Sequence, residues 1–141
     1  MEKIFSRIDS SKLLHIINRL EDINERTNVV PEEQFIQLAT MRLEAGKTFA
    51  PHKHIWKKSD NKEIIAQESW VVIKGSVCVH LYDIDDQHIV DKIIKQGDCS
   101  ITIEGGHTYS ILEDDTVVYE YKNGPYLGQI LDKTFISDHR L

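Results

Sequence analysis

Residues 46–54 read Gly-Lys-Thr-Phe-Ala-Pro-His-Lys-His, and this stretch decides how the chain is expected to fold. Its two histidines lie one residue apart in a segment that is predicted to be extended. Residues i and i+2 of a β-strand point to the same face, so His52 and His54 aim two imidazoles at one point. Glu68 and His107 follow in strand-like surroundings. Divalent transition metals accept imidazole nitrogen and carboxylate oxygen as ligands, so the sequence predicts a metal site built from these four side chains.

The length and composition are those of one globular domain. The chain has 141 residues, of which 40% are apolar and 28% charged, and its formal net charge is −6. This balance gives no sign of the basic face that a nucleic-acid binder needs. The sequence has no apolar run long enough to span a bilayer and no secretory signal at its N-terminus. We therefore expect a cytoplasmic protein whose partners include neither nucleic acid nor membrane.

The two cysteines, Cys78 and Cys99, are far apart and lack the CxxC spacing of redox or zinc motifs. In a cytoplasmic protein such thiols stay reduced. We expect both to be small core residues.

An amphipathic helix is predicted near the N-terminus. Apolar residues at positions 13, 16, 17, 20 and 23 follow the i, i+3, i+4, i+7 spacing and continue it by one turn. Ser10 and Ser11 precede them as N-cap candidates. We expect residues 1–34 to form a helical extension that packs on the rest of the domain.

From residue 35 onward the pattern is all-β. Turn residues recur about every eight to twelve positions, which favours a sandwich or barrel over a βαβ fold. The polar residues 57–63 are predicted to be a loop, and residues 35–136 to form a single β-domain. The predicted strands cover 35–43, 64–74, 77–82, 88–94, 100–103, 107–112 and 116–122, with 130–136 as an edge segment.

The first histidine stretch resembles the first of two sequence motifs of the cupin superfamily. In that motif five residues separate a glycine from His-x-His, and six residues separate a glutamate from a second glycine. Gly46, His52 and His54 match the first interval, and Glu68 and Gly75 match the second. The gap between His54 and Glu68 is longer than the family's usual three or four residues.

The second cupin motif is matched in part. Gly97 opens it, and Gly105 and His107 follow. Ile103 stands where the family has a proline, His107 comes one residue early, and the usual asparagine after it is absent. Together the two motifs imply a cupin-type jelly-roll β-barrel with a metal held inside it.

The resemblance implies that His52, His54, Glu68 and His107 are the metal ligands. Three imidazoles and one carboxylate leave one or two coordination positions for water or substrate, which suits Fe, Mn, Ni, Co or Zn. The ligand types do not choose among these ions. Glu63 is the competing carboxylate, but it lies at the margin of the predicted loop and breaks the six-residue interval to Gly75.

Other polar residues are candidates for catalysis or substrate binding. His80 and Tyr82 share one face of a predicted strand, and Tyr109 and Glu120 lie on neighbouring strands; any of them could be an acid or base beside the metal. The sequence does not say which face of each strand is turned inward. Four lysines near the ligands could attract an anionic substrate or could form a solvated loop: Lys53, Lys57, Lys58 and Lys62.

The functional hypotheses follow from the resemblance. Residues 120–126 and the pair Asp132-Lys133 resemble the ends of small bacterial cupins, some of them associated with surface-polysaccharide and sugar-nucleotide metabolism. This implies a metal-dependent cupin that acts on a carbohydrate or sugar derivative by isomerase, epimerase or lyase chemistry. The alternatives are a non-haem iron dioxygenase and a non-catalytic ligand-binding cupin. Because cupins commonly pair through their barrels, we expect a homodimer, with residues 35–43 as a candidate interfacial strand.

Overall fold

The structure is a computed structural model that describes residues 1–59 and 62–138. These residues form strands and two short 3₁₀ turns, at Leu20–Asp22 and Gln129–Leu131. The strands are, in chain order, β1 (Glu2–Phe5), β2 (Leu13–Ile17), β3 (Thr27–Asn28), β4 (Ile36–Leu43), β5 (His52–His54), β6 (Lys57–Ser59), β7 (Lys62–Ile64), β8 (Glu68–Lys74), β9 (Ser76–Tyr82), β10 (His88–Lys95), β11 (Cys99–Thr102), β12 (Gly106–Ile111), β13 (Thr116–Asn123) and β14 (Lys133–Phe135).

Two five-stranded antiparallel sheets make up the body of the protein. The first, the β12 sheet, has the order β10-β9-β12-β5-β14, and the second, the β13 sheet, has the order β11-β8-β13-β4-β3. Trp70 of one sheet stacks on Tyr109 of the other with 3.8 Å between ring centroids, so the two sheets face each other. Both contribute to a single core, made of Met41, Trp70, Val72, Val77, Val79, Tyr109, Ile111 and Val118.

The predicted all-β fold is confirmed, but the predicted closed barrel is not formed. Among the described residues no strand pairs with both sheets, so the hydrogen-bonded ladder does not run around the molecule. The sheets instead meet through the side chains of their inner faces, as in a two-layer jelly roll. Closure depends on pairing between distant strands, which the local alternation of apolar residues does not encode.

Alternation along the strands decides which side chains reach the interior. In β8 the buried residues are Glu68, Trp70 and Val72, and the residues between them are only partly buried. Strand β13 pairs with β8 so that Glu120 lies opposite Trp70 and Lys122 opposite Glu68. Residues directly opposite each other share a face of the sheet, so these two charged side chains of β13 also point inward.

The predicted N-terminal helix is wrong. Strands β1 and β2 form a hairpin with Glu2 opposite Ile17, and only Leu20–Asp22 makes a 3₁₀ turn. Ser11 lies in the hairpin turn, where its backbone N–H and its hydroxyl both donate to the Asp9 carboxylate. The helical spacing was outweighed by β-branched residues in β2, which restrict side-chain rotamers in a helix, and by the hydrogen bonds that β1 supplies. The remainder of residues 1–34 adds the short edge strand β3 to β4.

The predicted loop at 57–63 is also corrected. Strands β6 and β7 pair with each other as a hairpin, with Lys57 opposite Ile64; residues 60 and 61 lie outside the described part of the chain. The strand predicted from residue 64 therefore begins only at Glu68. This hairpin occupies the long interval between His54 and Glu68 without separating the two side chains in space.

The cysteines are not the core residues that were expected. Both thiols are free, Cys78 half-buried and Cys99 exposed. Cys78 alternates with the inward-facing Val77 and Val79 and so lies on the outer face of β9, while Cys99 begins the edge strand β11. A search of the described residues for a helix that is long and apolar enough to cross a membrane finds none.

Candidate metal centre

The four predicted ligands meet at one end of the interior between the sheets. His52 and His54 come from β5, and His107 comes from β12, directly opposite His52. Glu68 reaches the same point from the other sheet. All four side chains are buried, and one ligand atom from each lies within 4.8 Å of the others. The fold thus brings together residues that are up to 55 positions apart in the sequence.

Hydrogen bonds hold the two β5 imidazoles in position. Nδ1 of His52 donates to the Ala50 carbonyl oxygen over 3.0 Å, and Nδ1 of His54 lies 3.3 Å from the carbonyl oxygen of Asp132. A histidine that donates from Nδ1 to a carbonyl keeps the lone pair of Nε2 for a metal. Glu68 lies between the rings of His54 and His107. Its Oε1 is 3.0 Å from Nε2 of His107, and its Oε2 is 3.4 Å from Nε2 of His54.

The electrostatics of the cluster act differently on its members. Burial, the neighbouring His107 and the Lys133 ammonium lower the pKa of His52 to about 3, so its imidazole is neutral at pH 7. Burial opposes the charge of Glu68, but the contacts with His107 and His54 prevail and hold its pKa well below the usual range. Burial likewise opposes the charge of His54, yet Asp132 and Glu68 together raise its pKa. A metal would therefore compete with a proton for His54.

Two buried nitrogens in the cluster lack a hydrogen bond of normal geometry. Nδ1 of His107 has no partner, and Nε2 of His54 has only the 3.4 Å ionic contact with Glu68. A buried polar atom without a partner costs free energy, and such atoms in native proteins often point to an ion. A set of three imidazoles and one carboxylate suits a divalent transition metal with open positions. The residues present therefore fit a metal, although they do not identify which one.

A second group of charges lies behind His54. Asp132 is 1% exposed, its Oδ2 lies 3.1 Å from Nδ1 of His54, and it forms ion pairs with Lys57 and Lys122. These partners hold the pKa of Asp132 far below its usual range against the opposing effect of burial. The sequence pointed to Asp132 only through the resemblance of its C-terminal stretch to other cupins, which did not predict a contact with His54.

A cavity of about 390 Å³ adjoins the cluster. His52 and Glu68 form part of its wall, together with Tyr109 and Glu120. Three cations also line it: Arg26, Lys122 and Lys133. This volume is within the range of small-molecule sites.

Two of the predicted catalytic residues line this cavity. Glu120 accepts two hydrogen bonds from the Arg26 guanidinium, at 2.6 and 3.0 Å. Tyr109 is hydrogen-bonded through its hydroxyl to Ser100 over 3.1 Å, and burial and the nearby Glu68 raise its pKa. The tyrosine therefore stays protonated at neutral pH.

The other two predicted catalytic residues lie on the opposite face of the β12 sheet. His80 is opposite Thr108 in the ladder, one position out of phase with His107. Its ring nitrogens contact the Asp91 carboxylate and the Ser110 hydroxyl, at 2.9 and 2.8 Å. Tyr82 shares this outer face, and its hydroxyl donates to Asp138 over 2.6 Å. The fold does not bring these two side chains to the metal cluster.

The lysines near the ligands divide in the same way. Lys53 lies between the two β5 histidines but points outward, where it pairs with Asp86 at 2.6 Å. Lys57 reaches inward to Asp132, whereas Lys58 is exposed. The side chain of Lys62 lies outside the described part of the chain. Two cations that the sequence did not place at the site also lie here: Arg26 contacts Glu120 and Lys133 contacts His52.

No protein-family model matches the chain, and no curated protein matches it in sequence. Solved structures do match. CapF, the capsular polysaccharide assembling protein of Staphylococcus aureus, is 16% identical with a TM-score of 0.65 over 89% of this chain. A protein with a double-stranded β-helix domain from Klebsiella pneumoniae is 16% identical, with a TM-score of 0.59 over 84% of this chain and 93% of that one.

A third match is an RmlC-like cupin protein from Desulfovibrio desulfuricans. It is 16% identical, with a TM-score of 0.52 over 78% of this chain and 96% of that one. The match to CapF differs in extent, because this chain spans only 33% of its length. At sequence identities of 16%, these matches show a similar fold and do not show a shared function.

Proposed function

We propose that this chain, which has the fold of the cupin superfamily, is a metal-dependent enzyme acting on a small carbohydrate or sugar derivative. One observation carries the proposal: four buried ligand side chains converge beside a cavity of about 390 Å³. Fold alone does not fix function, so the proposal depends on the chemistry of this site.

The side chains divide into ligands and proton-transfer groups. His52, His54, Glu68 and His107 would hold the divalent ion, which acts as a Lewis acid on a carbonyl or hydroxyl oxygen. Glu120 is the base that takes a proton from the substrate and returns it, since its carboxylate lines the cavity. This is isomerase, epimerase or lyase chemistry.

Arg26 and Tyr109 would assist this transfer. The two hydrogen bonds from Arg26 fix the orientation of Glu120. Tyr109, protonated and hydrogen-bonded to Ser100, can donate a hydrogen bond to a substrate oxygen. His80 and Tyr82 have no part in this proposal, because they lie on the outer face of their sheet.

The carbohydrate class is supported by one structural neighbour. CapF is a capsular polysaccharide assembling protein, and this chain matches a third of it. The polar groups of the cavity agree with such a substrate, because hydroxyls need several hydrogen-bonding partners.

A non-haem iron dioxygenase is the second candidate, because the same donor set with open positions also suits iron and O₂. Oxygen uptake by the iron-loaded protein in the presence of a candidate sugar separates the two, since only a dioxygenase consumes O₂ during turnover. A non-catalytic ligand-binding protein would instead be stabilised by metal against heat and show no turnover with any substrate.

Metal analysis of protein purified without a histidine tag tests the proposal. We expect about one ion per chain in the wild type, as in other mononuclear sites, and loss of the ion in His52→Ala. His80→Ala is the matched control, because it removes a buried histidine from the outer face and should keep the ion. A wild-type protein that takes up no transition metal, even on reconstitution, would refute the proposal.

A further inference from the structure

We propose that the cavity is built for a substrate that carries a carboxylate, and that Lys133 binds this group. The inference rests on the proposed metal site and extends it to the class of substrate. It starts from the distribution of charge inside the protein, then uses the position of one lysine.

The cations in and beside the cavity are nearly all paired with carboxylates. Arg26 is paired with Glu120, and Lys57 and Lys122 are both paired with Asp132. Glu68 is occupied by His107 and His54. Lys133 is the remaining cation, and the described residues offer its ammonium group no carboxylate within ion-pair distance.

The only hydrogen-bond partner of the Lys133 ammonium group in the described structure is one of the four proposed metal ligands. Its Nζ lies 3.0 Å from Nε2 of His52, and Lys133 stands directly opposite His54 in the β14–β5 ladder. A metal at His52 would take the lone pair that the ammonium group now uses. Lys133 would then be a half-buried cation without an acceptor beside a second cation, an arrangement that is costly unless an anion joins it.

A carboxylate fits this position better than the other common anions. Its two oxygens can serve two cations at once, one facing the ligand cluster and one accepting from the Lys133 ammonium group. Phosphate sites generally use Arg forks or rows of backbone N–H groups at helix N-termini. Here the Arg26 fork is already held by Glu120, and no α-helix occurs among residues 1–59 and 62–138.

Other polar groups of the cavity suit hydroxyl groups. Asn28 and Glu32 also line it and supply an amide and a carboxylate, which together donate and accept hydrogen bonds. A substrate with one carboxylate and several hydroxyls would use these groups as well as Lys133. The inferred class is therefore a hydroxylated carboxylic acid.

Calorimetry with a pair of small probes tests this inference. Glycolate and glycolamide have nearly the same size and differ in charge, and inorganic phosphate serves as a third probe. Each is titrated into the Mn²⁺-loaded wild type, Lys133→Met, Lys133→Arg and Lys53→Met. Lys53→Met is the matched control, because this lysine is also adjacent to His52 but points out of the site to Asp86.

We expect the wild type to bind glycolate at least ten times more tightly than glycolamide and more tightly than phosphate. A lost hydrogen bond to a charged group weakens binding by roughly ten- to a hundred-fold, so Lys133→Met should lose most of this preference. Lys53→Met should keep it, and Lys133→Arg, which retains the charge, should keep part of it. Direct titration of Mn²⁺ should show that Lys133→Met still binds the metal.

Equal binding of glycolate and glycolamide by the loaded wild type would overturn the inference. Unchanged glycolate binding by Lys133→Met, or tighter binding of phosphate than of glycolate, would do the same. A protein that binds no metal yet binds glycolate through Lys133 would refute the proposed function and support the carboxylate site. The two proposals therefore fail under different results.

Discussion

Asp132 links the ligand geometry to the charge balance of the interior. Its backbone oxygen and its carboxylate both contact Nδ1 of His54, and the same carboxylate neutralises Lys57 and Lys122. Groups that hold a ligating histidine in place are part of a metal site even though they do not touch the ion. Asp132 is therefore a positioning residue for the proposed centre.

Asp132→Asn should lower metal affinity by about ten- to a hundred-fold, the usual effect of removing such a partner. The amide keeps the size of the side chain but leaves two lysines without their counter-charge. Titration calorimetry with Mn²⁺ or Zn²⁺ measures the change. Asp91→Asn is the control, since Asp91 bonds to His80 and His88 on the outer face. An unchanged affinity in Asp132→Asn would show that this carboxylate does not position His54.

At the scale of single residues, sequence analysis could find the ligands but not their supporting groups. His52 and His54 are recognisable because their spacing and the strand period are both local. The partners of these ligands come from distant segments, as Lys133 does for His52 across 81 positions. The sequence does not separate His80 from His107 as a ligand. Strand β9, which carries His80, has buried residues on both faces, and alternation does not show which face is the inner one.

At the scale of elements, tight turns with left-handed glycines set the strand boundaries. Gly75 joins β8 to β9 with φ +81°, and a Cβ added to it would lie 2.3 Å from Oγ1 of Thr116. Gly97 has φ +90°, but a Cβ there would meet nothing within 4 Å. A side chain at either position would strain the backbone, but only a side chain at position 75 would also overlap with a neighbour.

Gly75→Ala should destabilise the protein more than Gly97→Ala does. The left-handed conformation costs a non-glycine residue roughly 1–2 kcal/mol, and both variants have this cost. Only Gly75→Ala adds a clash with Thr116, which must be relieved by moving the start of β13. Urea unfolding measures both free energies, provided that the m-values agree. Equal losses would mean that the turn relaxes freely around the new methyl group.

The strands of the β-domain were predictable, whereas the elements outside its two sheets were not. Glycines at 46, 75, 97 and 105 all have positive φ, and each marks a turn that the sequence analysis used as a boundary. The prediction of a helix at the N-terminal hairpin was wrong because the helical spacing of its apolar residues arises by coincidence over a short stretch. The β6–β7 hairpin was not predicted, because its strands are mostly polar and too short to show an apolar period.

At the scale of the whole molecule, the β1–β2 hairpin stands apart, because it belongs to neither of the two five-stranded sheets. Its apolar residues include Phe5 at 47% exposure and Leu14 at 48%. A two-stranded hairpin is marginally stable on its own, and contiguous exposed apolar surface usually marks an interface. Strand β4, the interfacial strand suggested by the sequence, pairs with β13 along its whole length and with β3 only at Ala39 and Thr40.

We therefore expect a homodimer in which the hairpin of one chain packs on a second copy. Light scattering should give twice the 16.3 kDa of the single chain, and Phe5→Glu should shift the mass toward the monomer. Glu2→Lys is the control, because it changes an exposed charge on the same strand without adding polarity to the apolar surface. A wild-type mass of 16.3 kDa would rule out the dimer, and cytoplasmic location stays a separate prediction.

The contrast between the two thiols has a practical consequence. Cys99 is exposed, while burial and the Asp91 carboxylate raise the pKa of Cys78 and so disfavour its reactive thiolate. A maleimide or nitroxide reagent should therefore label the natural chain at one place, with no engineered cysteine. The relaxation of a nitroxide at Cys99 would change when a paramagnetic Mn²⁺ is bound. It would therefore report occupancy of the metal site in a protein without substitutions.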